Sequence, residues 1–155
     1  MQTPIKKIIL ATDFSETATD ASVYALWLAK TLKAELVPLH VFDIAAWNVP
    51  SQYYLKTGFE NIVEDIEGSR QQGKETLHKL EEKFDIKVDT VFTEGHAGEE
   101  TVRVAKELKA DLIVLGTHGY SGWKRFTIGS VAEYIVRHAP CAVFTVRHVQ
   151  QDKED

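Results

Sequence analysis

The chain has 155 residues, 44% of them hydrophobic, enough for one compact domain with its own core and no need of covalent staples. Eighteen Lys and Arg stand against 23 Asp and Glu, a net charge of −5 with no basic run, so the electrostatic footprint of a DNA- or RNA-binding protein is missing. No apolar stretch approaches the roughly 20 residues of a membrane span, the opening Met1-Gln2-Thr3-Pro4-Ile5-Lys6-Lys7 lacks an apolar signal core, and the single Cys141 sits in an apolar run as a small buried hydrophobe; a soluble, cytoplasmic protein without a membrane partner is expected.

The first apolar run, residues 7–11, contains Ile8-Ile9-Leu10, which is apolar on both faces, as a strand covered by two layers of helices requires. It ends in Ala11-Thr12-Asp13-Phe14-Ser15, where Ser15 can cap a helix running to about Leu32 with Ala21, Ala25, Leu28, Ala29 and Leu32 on one face. The second strand, 36–42, carries His40 and Val41; a lone histidine in an apolar strand reads as a satisfied core residue and receives no role. Residues 43–60 form a long connection bearing Trp47, Tyr53, Tyr54 and Phe59, an aromatic loop of the kind that covers something. A second helix is predicted over 61–84, with Ile62, Ile66, Leu77, Leu80 and Phe84 as its apolar positions, and a third strand over 87–93. Gly98 precedes a third helix with Val102, Ala105 and Leu108 inward, and the fourth strand follows at 112–115. Gly129-Ser130 opens a fourth helix through Val131, Tyr134, Ile135 and His138, stopped by Pro140, and the fifth strand closes the chain at 142–146. Strand and helix alternate throughout, which predicts an α/β fold: a doubly wound parallel sheet with helices on both faces and a ligand edge at the carboxyl ends of the strands, where the winding reverses. Residues 1–149 are expected to form this single domain and 150–155 a charged tail.

Two of the loops at that edge have chemistry of their own. The fourth strand ends in Leu115 and feeds Gly116-Thr117-His118-Gly119, with Gly129-Ser130 further on at a helix start. Glycines there admit backbone close to a bulky anion, and the free N–H groups of Ser130 and Val131, at the positive end of a helix, attract phosphate. Thr117 and His118 lie where side chains can reach phosphate oxygens, with a solvent-exposed loop as the alternative for His118, while Lys124 and Arg125 read as a solvated loop tip. Across the edge, Asp13 is either a turn acceptor or a ligand for a ribose hydroxyl, an adenine amino edge or a phosphate-bound Mg²⁺; Val41 would then supply backbone contacts and an apolar wall for a base. Turn-only glycines are the alternative to a nucleotide loop.

These residues resemble the universal stress proteins. The opening Lys7-Ile8-Ile9-Leu10-Ala11-Thr12-Asp13-Phe14-Ser15 and closing Ala139-Pro140-Cys141-Ala142-Val143-Phe144-Thr145-Val146 look like that family's first and last strands, and Gly116, Gly119, Gly129 and Ser130 fit the G-x2-G-x9-G-[ST] pattern of its ATP-binding branch. The resemblance implies five parallel strands in the order 3-2-1-4-5 and a homodimer paired through the last strand, here residues 141–147. It also implies ATP, with or without Mg²⁺, held by Asp13, Val41, Gly116, Gly119, Gly129, Ser130 and Val131 with backbone at Ala11 and Thr12. Many ATP-binding members carry proline where this chain has Ala11, and bulky Tyr120 and Trp123 follow the second glycine.

The function expected is a nucleotide-binding, stress-responsive regulatory domain with no catalytic set and no metal site of its own. A slow ATPase or other nucleotide-dependent enzyme of the same fold is one alternative, drawing on Asp13, His118, Lys124 and Arg125; a nucleotide-independent interaction module using residues 43–60 is another. A phospho-receiver reading is disfavoured, because Asp13 stands without an acidic cluster and Arg147-His148, not a lysine, follow the last strand.

Overall fold

Ile8, Ile9 and Leu10 are all fully buried, the signature of a strand covered on both faces, and the computed structural model, which describes residues 4–46, 58–118 and 128–147, puts that strand at the centre of a five-stranded sheet. The strands are β1 (Lys7–Ala11), β2 (Glu35–Phe42), β3 (Val91–Glu94), β4 (Leu112–Gly116) and β5 (Ala142–Val146), all parallel, in the order β3-β2-β1-β4-β5. Among the described residues four helices connect them: α1 (Glu16–Leu32), α2 (Phe59–Lys83), α3 (Ala97–Glu107) and α4 (Ser130–His138), with a short 3-10 turn at Ile44–Ala46. The winding runs one way from β1 through β2 to β3, then jumps back to β4 and β5, so it reverses between β1 and β4.

Side chains alternate across each strand, and the alternation splits the core in two. Ile8, Leu10, Leu36, Leu112, Val114 and Val146 meet Ala21, Ala25 and Ala29 of α1, with Leu80 and Phe84 from the end of α2 packed beside them. Ile9, Val37, Leu39, Ile113 and Leu115 meet Val102 and Ala105 of α3 and Ala132 and Ile135 of α4. The alanine stripe of α1 brings that helix close to the sheet. At its first turn the approach is so tight that a Cβ on Gly116 would stand 2.7 Å from Thr17 Cγ2, which is why β4 must end in glycine.

Three expectations shift. The third strand starts at Val91 instead of residue 87: pairing with β2 begins at Leu39↔Val91, immediately after Pro38, which has no N–H to give a neighbour. Val88 is nonetheless buried, packed under the sheet rather than paired within it. The third helix begins at Ala97, so Gly98 lies inside it and serves packing: a Cβ there would stand 2.8 Å from Tyr134 Cδ1, at the crossing of α3 and α4. The second helix starts two residues early, at Phe59. Trp47, Tyr53 and Tyr54, the loop residues Gly119 to Arg125 and the tail 150–155 lie outside the described residues.

Candidate functional site

Because β1 and β4 are hydrogen-bonded neighbours with Ala11 opposite Leu115, the turn that leaves β1 and the loop that leaves β4 emerge side by side at the carboxyl edge. The first wall is the turn 12–15. Its Thr12 N–H donates to the Leu39 carbonyl at 2.9 Å, the Phe14 N–H donates to Thr12 Oγ1 at 3.0 Å, and the Ser15 N–H donates to Asp13 Oδ1 at 3.0 Å. Ser15 then caps α1, its Oγ accepting from the Ala18 N–H at 3.2 Å. Asp13 is thus a turn acceptor through one carboxylate oxygen, while the residue itself stays exposed and its second oxygen has no partner among the described residues. Phe14 has φ +64°, a left-handed conformation that a bulky side chain adopts only under constraint from its surroundings.

The second wall is made by Gly116, Thr117 and His118 with the start of α4. Thr117 is buried; its N–H donates to the Val146 carbonyl at 2.9 Å, and its own carbonyl accepts the Gly129 N–H at 2.7 Å, which ties the helix start to the strand end. A Cβ on Gly129 would stand 3.0 Å from that carbonyl oxygen, so only glycine fits the joint without displacement. No side chain caps α4, and the N–H groups of Ser130, Val131 and Ala132 find no acceptor among the described residues. Thr117 Oγ1 and His118 Nδ1 lie 2.9 Å apart, and His118 Nε2 is buried with no hydrogen-bond partner among the described residues. Val41 on β2 projects to the same side of the sheet as Ala11 and Leu115, the side covered by α3 and α4. Ala11, Thr12, Asp13, Val41, Leu115, Gly116, Thr117, His118, Gly129, Ser130 and Val131 therefore collect at one edge. Gly119 alone of the predicted set is outside the described residues.

His40 sits closer to this edge than a core role demands. Its Nδ1 is 2.8 Å from the Thr12 carbonyl, which can only accept, so Nδ1 carries the proton. The ring lies against Phe14 with centroids 4.4 Å apart and near Phe92 at 5.8 Å. Burial pushes the imidazole below its ordinary value, partly offset by the Thr12 carbonyl and by Asp13. No local sequence pattern announces this tie, since the partners lie 28 residues apart.

An open parallel sheet of this winding, with two loops flanking the reversal, defines a doubly wound α/β domain, a class in which ligands settle where the winding reverses, here between β1 and β4. The sequence pattern of the Universal stress protein family matches residues 4–147, and the chain belongs to that family. It is 32% identical over 148 residues to universal stress protein MJ0531 of Methanocaldococcus jannaschii, covering 95% of this chain and 85% of that protein. Among solved structures it resembles the universal stress protein UspA from Lactobacillus plantarum, with TM-score 0.70 at 25% identity over 94% of this chain and 99% of that one. The same fold recurs in a universal stress protein family protein from Arabidopsis thaliana solved with AMP bound, with TM-score 0.60 at 16% identity, 95% of this chain and 94% of that one being covered.

Proposed function

We propose that this protein is an adenine-nucleotide-binding regulatory domain whose ligand is ATP. One observation carries the reading: among the described residues α4 starts uncapped, joined by Gly129 to Thr117, and the buried Nε2 of the neighbouring His118 has no hydrogen-bond partner. Unspent N–H donors and an unpartnered buried nitrogen are what an anionic phosphate chain would satisfy. In this reading Ser130 and Val131 take phosphate oxygens, and Gly116, Thr117 and His118 line the loop beneath them. Asp13 takes the ribose or the adenine edge, and Val41, Ala11, Thr12 and Leu115 form the floor and wall for the base. The AMP-bound Arabidopsis structure supports it by example, since the fold there houses an adenine nucleotide. Mg²⁺, if it accompanies ATP, would ride on the phosphates, with Asp13 as the one carboxylate proposed to reach it.

The protein is further proposed to act in the cytoplasm as a homodimer through β5. That strand is a sheet edge, with Phe144 39% exposed and its ring 5.7 Å from that of Tyr24 on α1. Equilibrium dialysis of nucleotide-stripped protein against labelled ATP, with and without EDTA, tests the ligand. Saturable binding is expected, and its absence refutes the reading. Sedimentation equilibrium of the same sample tests the dimer.

A further inference from the structure

His40 is the residue at the carboxyl edge that neither the fold nor the proposed ligand contacts account for. A histidine that merely filled the core would be served by any partner, yet this one spends its N–H on the carbonyl of Thr12 and its ring face on Phe14. Both lie in the turn that forms the first wall. Phe14 is the one residue of that turn in the left-handed region, and for an aromatic side chain such a conformation persists only when neighbours over-determine it. The neighbours are explicit: Thr12 Oγ1 accepts the Phe14 N–H at 3.0 Å, and the imidazole supports the ring at 4.4 Å. Behind the imidazole, Gly73 of α2 closes the space, since a Cβ there would stand 3.2 Å from Nε2. The ring is therefore wedged between α2 and the turn, with Phe92 of β3 beside it. Burial keeps it neutral, which leaves one proton on the ring, and the Thr12 carbonyl fixes that proton on Nδ1.

We propose that His40 is a positioning residue, a strut from β2 and α2 that holds the Thr12–Phe14 turn in the shape that presents Asp13 and the Thr12 backbone to the adenosine part of the nucleotide. The proposal rests on the nucleotide reading for its last step and on geometry alone for the first. His40 touches no ligand; it acts through the carbonyl and the aromatic ring of the turn. A side chain in its place that keeps an N–H donor should keep the turn, and one that offers only apolar bulk should not.

The test uses the full chain and three forms: wild type, His40→Leu and His40→Asn, whose amide offers a donor where Nδ1 stood. In nucleotide-free protein, water-exchange NMR reads the Phe14 and Ser15 amides. In His40→Leu both should exchange about tenfold faster than in wild type, with the Ile113 amide of β4 unmoved, and His40→Asn should return them to within about threefold. Unchanged exchange in His40→Leu, or equal loosening in both variants, overturns the strut. Should His40→Leu fail to fold, His40→Asn decides alone: retained protection supports the strut and lost protection overturns it. ATP dialysis is the second arm, with affinity expected to fall about tenfold in His40→Leu and to recover in His40→Asn. A loosened turn with unchanged ATP affinity overturns the link to the ligand. If wild type binds no ATP the nucleotide reading falls, and the exchange arm still judges the strut.

Discussion

α1 and α4 both start at the carboxyl edge of the sheet, yet α1 satisfies its first turn from side chains beside it, and α4 finds no such acceptor among the described residues. Ser15 caps α1, Asp13 bonds the Ser15 N–H, and Thr12 bonds the Phe14 N–H, so the turn is closed upon itself. At α4 the corresponding position is Gly129, which has no side chain to cap with, and its N–H is used to anchor the helix to Thr117. The Ser, Thr, Asp and Asn that cap other helices are closed to this position, because any Cβ would crowd the Thr117 carbonyl. The difference separates a helix start closed by its own side chains from one whose first donors have no acceptor among the described residues.

Variants at the two starts should therefore fail in different ways, and the largest failure should be at the joint. Gly129→Val drives a side chain onto the Thr117 carbonyl and should weaken ATP binding about a hundredfold by dialysis; unchanged affinity would erase the distinction between the two helices. Gly116→Ala tests the crossing below: its Cβ meets Thr17 at 2.7 Å, and urea unfolding should show a loss of about 2 kcal/mol. Ser15→Ala should cost about 1 kcal/mol in the same assay and leave the ATP affinity of the folded protein nearly intact. Its counterpart Ser130→Ala removes a hydroxyl that caps nothing, so stability should hold while ATP affinity falls about threefold. If both serines moved stability alike, the contrast would be wrong.

The smallest effect concerns pH. Burial lowers the His40 pKa in the folded chain, whereas the unfolded chain takes up its proton near the ordinary value of about 6.5. Between the lowered value and about 6.5 the unfolded state binds more protons, so stability is full above that window and declines as pH falls through it. Asp13 and the Thr12 carbonyl oppose the shift without cancelling it. Urea midpoints measured from about pH 7.5 to 5.5 should decline in wild type, and the His40 share of that decline should vanish in His40→Asn.

Much of this was legible along the chain because it is local. Continuous apolar runs marked β1 and β5 to the residue, and Ser15 three residues before Ala18 marked the cap. The glycines after β4 were visible as loop formers, but Gly98 was misread as a helix boundary because its reason, the Tyr134 ring, comes from another helix. The late start of β3 follows from Pro38 in the neighbouring strand, which matters only once the register is known. Phe14 in the left-handed region was unreadable in principle: phenylalanine disfavours that conformation, and the bond to Thr12 and the His40 ring that support it come from the folded structure.

The two edges of the sheet differ in a way that sets how copies of this molecule can meet. On the outer side of β2, β3 is only four residues long, with Arg70 paired to Glu94, Lys74 over the Phe92 ring at 5.3 Å and Arg103 bonded to Thr93 at 3.3 Å, so any approaching strand meets charge. At the other margin β5 shows Ala142, Phe144 and Thr145 to solvent, with no charge until Arg147. A sheet guarded on one margin and, among the described residues, open on the other would have a valence of one. Pairing of two such molecules about a two-fold axis uses up both open margins, so the proposed assembly ends at a pair and has no route to a fibre.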